Sequence, residues 1–78
     1  MMNALDYNLG SDPSLLILDD DEPFTRTLRR AMERRGFEVK TLLTVKEGFD
    51  YVNKYPPAYA IIDLRLDDGN GLDIVEAI

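Results

Sequence analysis

A short apolar run followed at once by carboxylates constrains the fold of this sequence more than any other feature. Residues 15–18 are all leucine or isoleucine, and the next four residues are Asp19, Asp20, Asp21 and Glu22. An apolar run of this length is typical of a strand that is buried on both faces of a parallel sheet. Neighbouring carboxylates repel one another, so this acidic run is either a solvated loop or a site that binds a cation.

The segment after the acidic run carries a helix pattern. Pro23 suits a first helical turn and Gly36 suits a helix end, so we predict a helix over residues 22–35. The predicted apolar stripe of this helix is Phe24, Leu28, Ala31 and Met32. The arginines lie mostly off that stripe, and we interpret them as a solvated face rather than a nucleic-acid interface: Arg26, Arg29, Arg30, Arg34 and Arg35.

The middle of the sequence continues the alternation of strand and helix. Residues 37–41 alternate between apolar and polar side chains, which predicts a strand at a sheet edge. Thr44 and Glu47 have the spacing of a capping box, which predicts a helix over residues 45–54. The predicted stripe of this helix is Val45, Phe49 and Val52.

A second central strand is predicted near the C-terminal end. Residues 58–64 are apolar apart from Asp63, which indicates a strand that ends close to this aspartate. Residues 67–71 are rich in Asp, Asn and Gly and predict a turn. Apolar residues from Leu72 onward then predict the start of a third helix.

The predicted order of elements is β-α-β-α-β-α. Strand–helix alternation implies an α/β fold with right-handed crossovers and a parallel sheet. Residues 1–13 are expected to form a loose N-terminal leader, and residues 14–78 the folded part. Because the sequence stops soon after the third helix begins, we expect a truncated doubly wound sheet and not a complete domain.

The composition excludes several kinds of site. The 78 residues contain no Cys and no His, which excludes a disulfide, a thiolate metal site and a histidine general base. Any metal must be held by oxygen, which favours Mg²⁺, Ca²⁺ or Mn²⁺. The net charge of −6 disfavours binding to a nucleic-acid backbone. Without an export signal or an apolar run of membrane-spanning length, we expect a cytoplasmic protein that does not contact a membrane.

Three aspartates follow predicted strands. Asp19 and Asp20 come after the first strand and Asp63 ends the third, and ligands of parallel sheets bind at the carboxyl ends of strands. If the two strands are neighbours, the carboxylates converge and predict a Mg²⁺ site that works with phosphate. Asp63 is then a candidate nucleophile that accepts a phosphoryl group. For Asp63 alone, a helix N-cap is an equally good explanation.

Several segments resemble the first half of the receiver domain of bacterial response regulators. The resemblance rests on LLILDDDEPF at residues 15–24, RGFEV at residues 35–39 and AIIDLRL at residues 60–66. Residues 56–73 resemble more specifically the RegA/PrrA/ActR group of redox-responsive two-component regulators. The resemblance implies a flavodoxin-like (CheY-like) fold, with strand order 2-1-3 for the strands present. It also implies a phosphoprotein that receives its phosphoryl group from a sensor histidine kinase and regulates transcription.

The resemblance implies a role for each of five residues. Asp63 corresponds to the phosphoacceptor and Asp20 to the carboxylate that binds Mg²⁺ directly. Asp19 corresponds to the carboxylate that acts through a metal-bound water. Arg65 stands where the backbone carbonyl binds the metal, and Gly71 where receivers have a loop glycine. No enzymatic activity is implied beyond self-phosphorylation and dephosphorylation.

The sequence also departs from the receiver pattern. Asp67 stands where receivers commonly have proline, and the switch Ser/Thr, the phosphate-binding Lys and the DNA-binding helix-turn-helix are missing. We therefore expect impaired phosphorylation of this polypeptide, and DNA contact only through the missing C-terminal domain. We also expect a homodimer, formed through the exposed edge of the third strand or by exchange of elements.

Two alternatives from other functional classes remain open. An aspartate-nucleophile phosphohydrolase begins with a strand and Asp-x-Asp, which Asp19 and Asp21 match, but Pro23 stands where that motif has Thr or Val. In that class Asp19, and not Asp63, carries the phosphoryl group. The second alternative is a receiver-like module that binds proteins independently of phosphorylation, which the intact set of three aspartates disfavours.

Overall fold

The computed structural model describes residues 12–66 and 69–78. The described elements alternate between strand and helix as predicted. They are β1 (Ser14–Leu18), α1 (Glu22–Arg34), β2 (Glu38–Leu42), α2 (Val45–Lys54), β3 (Tyr59–Ile62) and α3 (Gly71–Ala77). Most of the predicted leader, residues 1–11, and the departure at Asp67 lie outside the described residues. No helix in the described ranges is long and apolar enough to cross a membrane.

The three described strands form one parallel sheet in the order β2-β1-β3. This order confirms the predicted strand arrangement. β1 pairs with both neighbours, and Leu16, for example, lies opposite Lys40 on one side and Ala60 on the other. All of residues 15–18 are buried, as expected for a central strand covered on both faces.

Alternate residues of β1 supply two separate apolar clusters, one on each face of the sheet. Leu15 and Ile17 pack with Phe37 on the face covered by α1. Leu16 and Leu18 pack on the opposite face, beneath α2 and α3. The helix residues buried in the second cluster are Val45, Val52 and Ile74. The predicted stripe of α2 is therefore confirmed, with Phe49 partly buried against the same cluster.

The predicted apolar stripe of α1 is wrong at its first position. Phe24 is 48% exposed, whereas the neighbouring Thr25 is buried at 3%. Thr25 satisfies its hydroxyl by donating to the Glu22 carbonyl oxygen at 2.8 Å, so its methyl group can face the sheet. Leu28 and Met32, three and seven residues after Thr25, continue this buried face.

The third strand is shorter than predicted. β3 covers only Tyr59–Ile62 and lies at the edge of the described sheet, as the predicted strand order implies. Ala60 and Ile61 are exposed, since no described strand or helix covers that edge. The start of α3 is also one residue earlier than predicted, at Gly71, with Asn70 as its N-cap.

Candidate functional site

The acidic run at the end of β1 divides between two structural tasks. Asp19 continues the sheet, because its backbone N–H donates to the Leu42 carbonyl oxygen at 3.1 Å. Asp21 instead caps α1, since its Oδ1 accepts from the Phe24 N–H at 3.0 Å. Glu22 lies in the first turn of α1, where a negative charge suits the helix dipole. Two of the four carboxylates, those of Asp21 and Glu22, thus lie at the start of the helix. Oδ1 of Asp19 accepts from the Asp21 N–H at 2.9 Å and so closes the turn that leads into it.

Asp63 is fixed in place at the end of β3. Its N–H donates to the Leu18 carbonyl oxygen at 2.8 Å, which extends the pairing of β1 and β3 by one residue. Its Oδ1 accepts from the Arg65 N–H at 2.9 Å, so the side chain also closes the turn that follows the strand. These two hydrogen bonds orient the carboxylate of Asp63 before any ligand arrives.

The structure brings the carboxylates of Asp19, Asp20 and Asp63 together. One oxygen from each lies within 4.8 Å of the oxygens of the other two. Asp19 and Asp63 are half-buried, and Asp20 is exposed. Three carboxylates at this separation repel one another, and hard oxygen ligands are those that Mg²⁺ and Ca²⁺ prefer. The donor set therefore fits a divalent cation that is open to solvent on one side.

Asp21 does not belong to this cluster. Its carboxylate caps α1, as described above. The Asp-x-Asp alternative requires Asp19 and Asp21 to act on the same phosphoryl group, so this capping role disfavours it. The other two residues predicted for the site lie next to Asp63: Arg65 through its N–H, and Gly71 through the start of α3.

Gly71 lets α3 approach the backbone of Asp63. A Cβ at this position would overlap the Asp63 carbonyl oxygen and would lie 2.8 Å from Cγ2 of Ile62. Real atoms cannot approach so closely, so only glycine fits here. The Gly71 N–H also donates to the Leu64 carbonyl oxygen, at 3.4 Å. The first turn of α3 is thus packed directly on the loop that carries Asp63.

Sequence reasoning missed the capping role of Asn70. Its Oδ1 accepts from the Leu72 N–H at 2.9 Å and starts α3. The sequence signal was present, because Asn is among the preferred N-cap residues and an apolar segment follows it. The turn prediction for residues 67–71 concealed this signal.

The basic residues of α1 are exposed. Arg29 pairs with Glu33 at 3.3 Å, one helical turn later on the solvent side. Arg35 donates to the Ala31 carbonyl oxygen at 3.3 Å, at the end of the helix. These contacts agree with a solvated helix face.

Comparison with known proteins identifies the family. Residues 15–78 match the response regulator receiver domain family. The chain belongs to this family. The non-phosphorylated HemR receiver domain from Leptospira biflexa has the same fold, with a TM-score of 0.75 and 32% sequence identity over 83% of this chain and 52% of that one.

The curated relatives most similar to this receiver in the comparison are regulatory proteins. The photosynthetic apparatus regulatory protein RegA of Rhodovulum sulfidophilum is 58% identical over 99% of this chain and 42% of its own length. The acid tolerance regulatory protein ActR of Rhizobium meliloti is 56% identical over 97% of this chain and 40% of its own length. The receiver thus spans about 40% of the relatives that it matches. The resemblance to the RegA and ActR regulators is confirmed.

The contact between Gly71 and Asp63 can be tested by adding one methyl group. We expect Gly71→Ala to lower the free energy of unfolding by ~1–3 kcal/mol, because the new methyl group collides with backbone that cannot move freely. Gly69→Ala is the matched control, since the nearest atoms to its Cβ, those of Val45, lie at an ordinary 3.4 Å. Urea unfolding, monitored by circular dichroism, measures the free energy of unfolding of both variants. Equal stability of the two variants would contradict the contact.

Proposed function

We propose that this receiver accepts a phosphoryl group on Asp63 from the phosphohistidine of a sensor histidine kinase. The observation that carries the proposal is the convergence of Asp63 with Asp19 and Asp20 at the carboxyl ends of adjacent parallel strands. The side chain of Asp63 is oriented by a hydrogen bond, and a cation can screen its repulsion from the other two carboxylates. Such an aspartate is a competent nucleophile for phosphoryl transfer.

The donor set suits Mg²⁺. We assign Asp20 and Asp63 as direct ligands, Asp19 as a carboxylate that acts through a metal-bound water, and Arg65 as the source of a backbone carbonyl ligand. When bound, the ion would neutralise charge on the carboxylates and on the oxygens of the transferring group. Support comes from the clustering of the three carboxylates and from the absence of nitrogen and sulfur ligands in a sequence without His or Cys.

The residues of the receiver have distinct tasks in this reaction. A carboxylate oxygen of Asp63 forms the new O–P bond while the P–N bond to the imidazole of the kinase breaks, and the product is an acyl phosphate. The Arg65 N–H holds Oδ1 of Asp63 and so limits rotation of the nucleophile before attack. Gly71 seats α3 against the Asp63 carbonyl, which fixes the loop behind the reacting group.

The relatives suggest what the phosphoryl group controls. Because they are regulatory proteins, we infer that phosphorylation regulates transcription, and that DNA is contacted by a C-terminal helix-turn-helix domain outside residues 14–78. The described surface around the site is acidic, which agrees with DNA being bound elsewhere. We infer a cytoplasmic location, because the histidine kinase takes its phosphoryl group from ATP, which is a cytoplasmic nucleotide. A phosphorylation-independent interaction module is disfavoured because such a module does not need three clustered carboxylates.

Mg²⁺ is expected to stabilise the folded protein by offsetting the repulsion among the carboxylates of Asp19, Asp20 and Asp63. Without the ion, Asp19→Asn should raise the free energy of unfolding by about 1 kcal/mol, since one of three mutually repelling charges is gone. With Mg²⁺ at ~100 times its dissociation constant, the wild-type protein should gain ~2.7 kcal/mol and the variant clearly less. Thermal unfolding across a Mg²⁺ titration measures this.

The matched control for the Mg²⁺ titration is Asp50→Asn, which removes an exposed carboxylate of α2 that is not a member of the cluster. It should respond to Mg²⁺ as the wild-type protein does. If Asp19→Asn and Asp50→Asn gain equal stability from Mg²⁺, the ion does not bind at the cluster.

Phosphorylation itself can be followed by intact-mass spectrometry. We expect the protein to gain the mass of one phosphoryl group, slowly, on incubation with Mg²⁺ and a small acyl phosphate donor. Asp63→Asn should lose this gain because its amide cannot form the acyl phosphate. An equal gain in wild type and Asp63→Asn would place the chemistry on another residue.

The outer edge of β3 is the surface through which we propose that a second copy of the 78-residue protein binds. Since the Asp63 N–H faces β1, alternation along the strand directs the backbone groups of Ala60 and Ile62 towards the outer edge. No strand of the described residues pairs with them. Apolar grooves flank this edge on both faces, one bordered by Phe37 and Tyr59 and the other by Ile62 and Val75.

Two such edges can pair antiparallel about a twofold axis at Ile61. In that register Ala60 of each copy pairs with Ile62 of the other, and the two Ile61 side chains meet. The edge carries neither lysine nor proline, the residues that protect exposed strands from pairing. We choose this arrangement over exchange of elements because it leaves the observed sheet intact.

Ile61→Lys tests the dimer. Two lysines would face each other across the axis, so we expect the dimer dissociation constant to rise by about tenfold or more. Leu43→Lys is the control, because Leu43 is equally exposed, at 38% against 39%, but lies outside β3. Light scattering over a concentration series should show dimers of wild type and control and monomers of Ile61→Lys. A wild-type protein that stays folded and monomeric would refute this part of the proposal.

A further inference from the structure

The junction between the site loop and α3 is an Asn-Gly pair. Asn70 is exposed at the start of α3, and Gly71 follows it without a side chain. The side-chain amide of an asparagine can be attacked by the backbone nitrogen of the next residue. A glycine in that next position favours attack, since no Cβ obstructs the approach. The junction therefore combines an exposed amide with the least hindered backbone nucleophile.

We propose that Asn70 is a site of spontaneous deamidation, and that its isoaspartyl product releases α3 from the strand end that carries Asp63. The modification needs only water. Its first part is independent of the phosphoryl-transfer function proposed above. Its second part concerns the packing of Gly71 on Asp63, which is measured without any phosphorylation.

The reaction has two balanced steps. In the first, the Gly71 nitrogen forms a bond to Cγ of Asn70, the bond from Cγ to the amide nitrogen Nδ2 breaks, and ammonia leaves with the proton of the Gly71 N–H. The product is a cyclic succinimide. In the second, water opens the ring at one of its two carbonyl carbons. Opening at Cγ gives aspartate, whereas opening at the backbone carbonyl gives isoaspartate, in which the backbone runs through Cγ.

The folded structure restrains the first step. Oδ1 of Asn70 accepts from the Leu72 N–H at 2.9 Å, and the Gly71 N–H donates to the Leu64 carbonyl oxygen at 3.4 Å. Both hydrogen bonds must break before the Gly71 nitrogen can reach Cγ. Opening of the first turn of α3 requires little free energy, because α3 has seven residues and buries only Gly71 and Ile74. The deamidation rate therefore reports how often the first turn of α3 opens.

The two products should differ in their effect on the site. Aspartate keeps a carboxylate oxygen for the N-cap and adds a negative charge at a helix N-terminus, which is favourable. Isoaspartate lengthens the backbone by one methylene immediately before Gly71. Gly71 has no room for such a shift, since even a Cβ would overlap the Asp63 carbonyl oxygen. The isoaspartyl backbone must therefore move α3 away from Asp63.

The deamidation itself is tested by ageing the purified 78-residue protein in mildly alkaline buffer. Peptide mapping and labelling with an isoaspartyl methyltransferase locate the products. Asn53 is the internal control, because it is also exposed but is followed by Lys54 within α2. We expect isoaspartate at Asn70 to form at least about tenfold faster than at Asn53, and Asn70→Ser, which keeps an N-cap hydroxyl, to abolish that label. Equal rates at the two asparagines would overturn the proposal.

The release of α3 is tested by hydrogen exchange on the separated products. In the isoaspartyl form, amides from Leu72 to Ile78 should exchange about tenfold faster than in the unaged protein. Asn70→Asp is the control and should retain wild-type protection of these amides. Unchanged protection in the isoaspartyl form would refute the release of α3, whatever the result of the phosphorylation experiment.

Discussion

The parallel pairing of β1 with β3 is the constraint on which the rest of this structure depends. The hydrogen bond from the Asp63 N–H to the Leu18 carbonyl oxygen brings the ends of the two strands side by side. Asp19 and Asp20 follow one strand end and Asp63 the other, so the pairing alone determines that three carboxylates meet. A slip of one residue would turn the side chains of β3 to the opposite face and separate Asp63 from its partners.

The carboxylate cluster opposes folding unless a cation is bound, and the surrounding structure offsets this. β1 is buried along residues 15–18, which anchors the strand that carries two of the charges. Asp21 and Glu22 are used to start α1, so adjacent charges of the same acidic run stabilise a helix. Gly71 braces the loop of Asp63 from behind. The site is thus held by β1 and β3 and by the first turns of α1 and α3.

Much of this arrangement could be predicted from the sequence, because the strongest patterns coincide with the best packed elements. Residues 15–18 and the capping box of Thr44 and Glu47 agree with the structure, in which the Glu47 N–H donates to Oγ1 of Thr44 at 3.2 Å. The sequence could not show whether Phe24 or Thr25 faces the sheet, since adjacent helical positions differ by only ~100°. Contact with the sheet selects Thr25. The close approach of Gly71 to Asp63 depends on how α3 packs, which a local pattern does not contain.

The most direct test of the proposed chemistry is to determine which aspartate carries the phosphoryl group. Reduction of the acyl phosphate with borohydride converts the modified aspartate to homoserine, and peptide mass spectrometry then locates it. Trypsin cleaves between Asp19 and Asp63, for example after Arg26 and Lys54, so separate peptides report the two residues. We predict homoserine at position 63 and at neither position 19 nor position 20. Homoserine at position 19 would contradict the assignment of Asp63 and favour the phosphohydrolase class.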